Sequence, residues 1–229
     1  MIRAIILSSV LVWIAGCATN AGNPSQDFRI NTASQVIDSP SGLMQAVAQG
    51  DEQRLRERIV AGDSVNAVYK GDTPLRIALI NKRVRVAQIL LRAGAKPDLN
   101  LTQEQASALM LASRHGLNRI VTQLIKLGVD IDYENAAGSS ALVEAAMRGH
   151  LTTVNILIAA GVKVDVFPNG RSLLMHMVAD NNMLIVKPLI EAGVDVNYMD
   201  ANGETALSVA RENNFHDLDL LLVQGGARL

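Results

Sequence analysis

Gly71-Asp72-Thr73-Pro74-Leu75-Arg76-Ile77-Ala78 carries the start of a helix within a single short stretch. Gly71 permits a tight turn, Thr73 is placed to N-cap, and Pro74 takes the first helical position, where a missing N–H costs nothing. The helix is therefore predicted to begin at Pro74. A short turn at Asn81 and Lys82 leads into a second apolar stretch holding Val84, Val86, Ala87, Ile89, Leu90 and Leu91, dense enough to be buried between neighbours. Gly94 closes that helix in a left-handed cap.

Working outward, the unit recurs. A 16-residue interval runs from Ala46 to Gly62, Ala78 to Gly94, Ala112 to Gly128, Ala145 to Gly161, Met177 to Gly193 and Ala210 to Gly226. The closing glycines therefore follow one another at a nearly constant period of roughly 33 residues, the mark of stacked supersecondary units rather than one globular core. Ser107-Ala108-Leu109, Ser140-Ala141-Leu142, Ser172-Leu173-Leu174 and Thr205-Ala206-Leu207 repeat the hydroxyl cap followed by a core leucine. The second helices end alike, as in Leu124-Ile125-Lys126-Leu127-Gly128 and Leu157-Ile158-Ala159-Ala160-Gly161.

These residues resemble the ankyrin repeats. Thr73-Pro74-Leu75 followed by Ala78 is similar to the family's first-helix signature, with Arg76 in place of the usual histidine. Gly149-His150-Leu151, Gly193-Val194-Asp195-Val196-Asn197 and Asn202-Gly203-Glu204-Thr205-Ala206-Leu207 match its other signatures in the same register. The resemblance covers roughly residues 40 to 229 and implies an all-α solenoid of about six helix-turn-helix units with hairpin-like loops. Met177 at a small-residue position, Pro188 inside a second helix, and the degenerate first unit at Ser41 to Gly62 depart from the pattern. Arg54, Arg56 and Arg58 in that first unit read as a solvated terminal cap.

The amino terminus adds a location. Arg3 lies ahead of an apolar run, Ile5 to Ile14, too short to span a membrane as a mature helix, and Ala15-Gly16 supplies a cleavage site. Residues 1–16 read as a signal peptide, and Ile14-Ala15-Gly16-Cys17 resembles the bacterial lipobox, whose cysteine is acylated, for instance by palmitate. Cys17 is the only cysteine, so it has no disulfide partner within the chain. The resemblance, with Ala18 after the cysteine, implies a lipoprotein on the periplasmic side of the outer membrane. Residues 17–40 then hold the lipidated cysteine and a tether spanning roughly 25 Å as a random coil. Either this segment swings freely or Phe28, Ile30, Val36 and Ile37 pack on the first unit; the sequence leaves both open. The repeat domain follows, 41–229.

Charge excludes one class of partner. Without the signal peptide the chain carries 20 basic and 22 acidic residues, which does not call for nucleic acid. The distribution is uneven: residues 51–96 hold ten Lys or Arg against five Asp or Glu, and residues 189–229 hold two against seven. Such a gradient can orient a partner.

No catalytic or metal-binding constellation is expected. His115, His150, His176 and His216 fall at different positions of different units without ligand spacing, and no glycine loop reads as a phosphate cradle. No cofactor and no small-molecule substrate follow from the pattern. In the family's geometry, loop tips and first-helix ends line a concave face. In this chain that face selects Tyr69, Lys70, Asp72, Ile80, Asn81, Gln103, Glu104, Arg114 and His115 as protein-binding candidates. Later units contribute Met147, Arg148, Asn169, Arg171, Asp180, Met199, Asn202, Glu204 and Asn213. Tyr133 and Tyr198 fit equally as braces between loops.

The expectation is a non-enzymatic, membrane-anchored module for a folded protein partner. Resemblance to bacterial ankyrin lipoproteins narrows this to an immunity protein inhibiting a toxic periplasmic effector such as a lipase. An adaptor for a resident periplasmic enzyme, or an envelope lipoprotein that self-associates through its apolar last unit, is the alternative.

Overall fold

A computed structural model describes residues 30–99 and 101–228; the stretch read as a signal peptide, with Trp13, and Cys17 and Phe28 after it, lie outside the described residues. Six helix pairs succeed one another: α1 (Gly42–Gln49) with α2 (Glu52–Val60), α3 (Pro74–Ile80) with α4 (Val84–Arg92), and α5 (Ala108–Arg114) with α6 (Asn118–Lys126). The remaining pairs are α7 (Ala141–Ala146) with α8 (Leu151–Ala159), α9 (Leu173–Ala179) with α10 (Met183–Glu191), and α11 (Ala206–Glu212) with α12 (His216–Gln224). The all-α solenoid is thus present in full.

The two helices of a pair start by different means. Every first helix has a hydroxyl cap: Ser41, Thr73, Ser107, Ser140, Ser172 and Thr205 each accept the backbone N–H three residues on. From the second unit onward, the second helices have no side-chain cap. They follow a left-handed residue, Lys82, Gly116, Gly149, Asn181 or Asn214, that reverses the chain. The next N–H then bonds back to the first helix: Arg83 to the Ala78 carbonyl, Leu117 to Ala112, His150 to Ala145, Asn182 to Met177, Phe215 to Ala210. Those acceptors are the residues that open the 16-residue interval.

The core is a continuous stripe through the stack, with Leu43, Leu75, Leu109, Leu142, Leu174 and Leu207 contributed by successive first helices and Leu55, Leu90, Leu124, Leu157, Leu189 and Leu222 by second helices. First helices approach one another more closely than second helices do, so the stack curves toward the first-helix side. The α7–α9 junction is the exception. Met177, where the other units carry alanine, and Val178 are both buried in α9. Pro188 leaves α10 unbroken over Met183–Glu191.

Ahead of the first unit, strand β1 (Ser34–Val36) pairs in parallel with β2 (Asn66–Val68). Backbone pairing, not the packing of Phe28, Ile30, Val36 and Ile37 that the sequence offered, holds residues 34–37: Ile30 is 37% and Val36 82% exposed, and Phe28 lies outside the described residues. Asn66 Nδ2 donates to the Thr32 carbonyl at 2.8 Å, and the Val65 N–H reaches the Asn31 carbonyl at 3.1 Å. Hairpin-like bridges join Tyr69 with Asp72, Glu134 with Ser140 and Met199 with Thr205. The fifth unit departs from this with a short 3-10 turn, Pro168–Gly170.

Candidate functional site

The candidate residues fall into two rows along the curved side. One row is the loop tips, Tyr69, Lys70, Asp72, Gln103, Glu104, Asn169, Arg171, Met199, Asn202 and Glu204. The other is the first-helix ends, Ile80, Asn81, Arg114, His115, Met147, Arg148, Asp180 and Asn213. None is buried. Ile80, Met147 and Met199 expose 46%, 46% and 61% of their surface, which places apolar anchors on units two, four and six.

Several of the charged candidates are already engaged within the stack. Arg114 makes a bidentate pair with Glu144 of the next unit, Nε to Oε2 at 2.8 Å and Nη2 to Oε1 at 2.6 Å. Arg171 donates to Glu204 at 2.7 Å and lies 3.3 Å from the buried carboxylate of Asp200. Asp72 is held by Arg76, whose Nη1 also donates to the Ala106 carbonyl at 2.6 Å. The two tyrosines act as braces: Tyr133 donates to the Thr102 carbonyl and Tyr198 to that of Gly170, each at 3.1 Å.

Two contributors escape a reading by unit. Phe167 is 44% exposed at a loop tip and stacks on Tyr198 with ring centroids 4.6 Å apart. Its place shortly before the Ser172 cap, close to where Tyr69 and Met199 precede theirs, is the available signal. Lys82 lies exposed at the end of α3, in the left-handed region at φ 56°.

The first-helix ends of units two to four are cationic. His115 has its pKa pushed down, first by burial and then by Lys82, Arg114, Arg148 and His150. Glu144 is pulled down chiefly by its hydrogen bond from Arg114, and Arg114 is raised by the same bond. Of the other histidines, His150 Nε2 is 3.0 Å from the Arg114 carbonyl and His176 Nε2 is 3.0 Å from that of Pro168. Among the described residues no group of three His, Cys, Asp or Glu side chains is arranged to hold a metal, and no helix is long and apolar enough to cross a membrane. An open, largely apolar cleft of about 380 Å³ lies between α2 and α4 and is lined by Ile30, Ile59, Val60, Ile89 and Ala93 with Arg56 and Arg92.

Family models for ankyrin repeats match residues 43–135, 109–200 and 142–229, which together span the whole stack. The chain belongs to the ankyrin repeats. It is 27% identical over 203 residues to the putative ankyrin repeat protein YahD of Escherichia coli, covering 84% of this chain and 99% of that one. Nuclear factor NF-kappa-B p105 subunit of Gallus gallus is 34% identical over 71% of this chain, which spans only 17% of that protein's length. The crystal structure of an ankyrin repeat domain from Acinetobacter baumannii superposes with a TM-score of 0.75 at 30% identity, covering 81% of this chain and 98% of that one. The ankyrin repeat domain of Bcl-3 superposes at 0.72 and 28% identity, covering 84% of this chain and 89% of that one. Ankyrin repeats are protein-interaction modules, and this stack is built as one.

Proposed function

We propose that the ankyrin stack is a non-enzymatic binding module for a folded protein, held by a lipid on Cys17 at the periplasmic side of the outer membrane. The observation that carries the binding reading is the two-row surface: apolar anchors and charged groups repeat on rigid units that need no ordering before contact. The anchor rests on the lipobox-like Ile14-Ala15-Gly16-Cys17, since several acyl chains together make attachment stable. Within this reading the chain is an immunity protein that neutralises a toxic effector, such as a lipase, at the membrane the effector attacks. Deleting the protein should sensitise cells to siblings carrying the matching effector; unchanged survival in that competition sinks the immunity role and leaves an adaptor of a periplasmic enzyme. Affinity capture from envelope extracts with the full chain tests the module itself.

One observation favours a self-associating envelope protein instead: Leu220 and Val223 on α12 are 59% and 47% exposed at the last unit. Sedimentation of a chain that starts after Cys17 separates the two, because a monomer at high concentration removes this reading.

A further inference from the structure

The first-helix ends form a register. Each of α3, α5 and α7 ends in a turn on the same edge of the stack, and these three turns carry Lys82, His115 and Arg148. Lys82 and Arg148 are exposed and make no ion pair among the described residues. The one carboxylate packed close by, Glu144, is consumed by Arg114 and by the Ser139 hydroxyl, which donates at 3.0 Å. An acidic side chain does not return to the row until Asp180 in the fifth unit. Units two and four therefore present cations that the stack itself does not neutralise, with His115 of unit three between them.

Cations at helix ends also complement the carbonyl dipole, which would by itself favour a protonated His115. The opposite holds: burial and the surrounding Lys82, Arg114, Arg148 and His150 push its pKa below the ordinary histidine value. Lys82 also occupies a left-handed position that the next two units give to Gly116 and Gly149. Lys82 there adopts a backbone conformation that glycine takes at lower cost.

We propose that Lys82, His115 and Arg148 are a docking row for an acidic peptide segment of the protein partner, carboxylates of the segment meeting basic side chains on three successive units. This rests on the protein-binding reading above. Packed helices stand about 8–10 Å apart, so three turns span roughly 20 Å, the reach of about six residues of extended chain. A carboxylate seated beside His115 favours its protonated form, so docking takes up a proton and tightens as pH falls. The groups that face His115 are Arg114 on its own helix, Lys82 from the turn after α3, and Arg148, His150 and the engaged Glu144 from the α7–α8 unit. No carboxylate among them is free to take the partner's place.

The test is fluorescence anisotropy of the full chain with labelled hexaglutamate at low ionic strength, beside hexaglutamine and a single-stranded hexanucleotide. Hexaglutamate should bind and hexaglutamine should not. K82E/R148E should weaken hexaglutamate binding by at least about tenfold, while R119E/K126E, an equal charge change on α6, leaves it within about twofold. His115→Gln should flatten the rise in affinity that sets in as pH falls through the ordinary histidine value of about 6.5. Equal losses in both double variants, tighter binding of the hexanucleotide, or an unaltered pH profile in His115→Gln would each overturn the docking row. Circular dichroism checks that the variants fold. A protein captured equally by wild type and K82E/R148E refutes this site and keeps the binding module; capture of nothing by either refutes the module.

Discussion

Arg114 reaches across to the next unit to grip Glu144 with both arms of its guanidinium, tying α5 to α7 where first helices pack most closely. The Glu144 side chain is only 11% exposed, so its charge depends on that partner. Arg114→Ala should destabilise the stack by about 1–3 kcal/mol at neutral pH, because a nearly buried carboxylate loses its strongest donor. Glu144 has a depressed folded-state pKa, so the stability it contributes is present above the ordinary glutamate range and lost as pH falls through the lower folded value. The difference between wild type and Arg114→Ala, read from urea midpoints, should therefore be largest near neutrality and shrink as pH drops below the ordinary glutamate value. A difference independent of pH would mean the arginine acts through its aliphatic packing alone.

Asn66 does more than its neighbours in register. Its Nδ2 donates to the Thr32 and Gly94 carbonyls at 2.8 and 3.2 Å, and its Oδ1 accepts the Lys96 N–H at 2.8 Å, all at 1% exposure. Asn66→Ala leaves three backbone groups without partners and should cost about 2–3 kcal/mol. It should also free the Ile37 and Val65 amides, whose bonds to Val68 and Asn31 hold the β1 segment, to faster hydrogen exchange. Asp165→Ala, which removes a single bond to the Asp195 N–H, should cost about 1 kcal/mol and leave those amides protected.

Met177 stands where the other units carry alanine and is fully enclosed at 1% exposure. Met177→Ala should lower stability by about 2–5 kcal/mol, since the surrounding helices can close only part of the cavity. Chemical denaturation should show a lower midpoint with an unchanged slope. A stabilised variant would mean instead that α9 closes fully onto α7.

Caps and turns were legible because each depends on one residue's own chemistry: a hydroxyl before α3, α5, α7, α9 and α11, and a glycine after the second helices with φ between 74° and 96°. The links between units were harder to see, because each partner lies a whole repeat away along the chain. Yet one such link does leave a trace, an Asn or Asp at the fourth position after each closing glycine: Asn66, Asp98, Asp132, Asp165 and Asn197. Four of these accept a backbone N–H from the next loop, from Lys96, Lys163, Asp195 and Arg228. Asp98 turns back to the Ala108 N–H, in the unit whose bounding glycines, Gly94 and Gly128, stand farthest apart. For the candidate surface, exposure followed from register, but not which cations are engaged. Arg114 and Arg148 look alike in sequence, and only the stacked geometry gives the first a carboxylate and leaves the second without one.

Trp13 is the only tryptophan, and it falls inside the stretch 1–16 read as a signal peptide. If Cys17 becomes the first mature residue, the protein recovered from the envelope should show tyrosine emission alone and no tryptophan band. Cys17→Ser removes the acyl acceptor, so it should retain the tryptophan band, fail to incorporate labelled palmitate and lose its membrane attachment. The two readouts are independent, because a conventional signal peptidase cut would remove Trp13 without adding a lipid. A mature species that keeps tryptophan emission overturns cleavage before Cys17. One that loses the emission but takes up no palmitate overturns the anchor while leaving export intact.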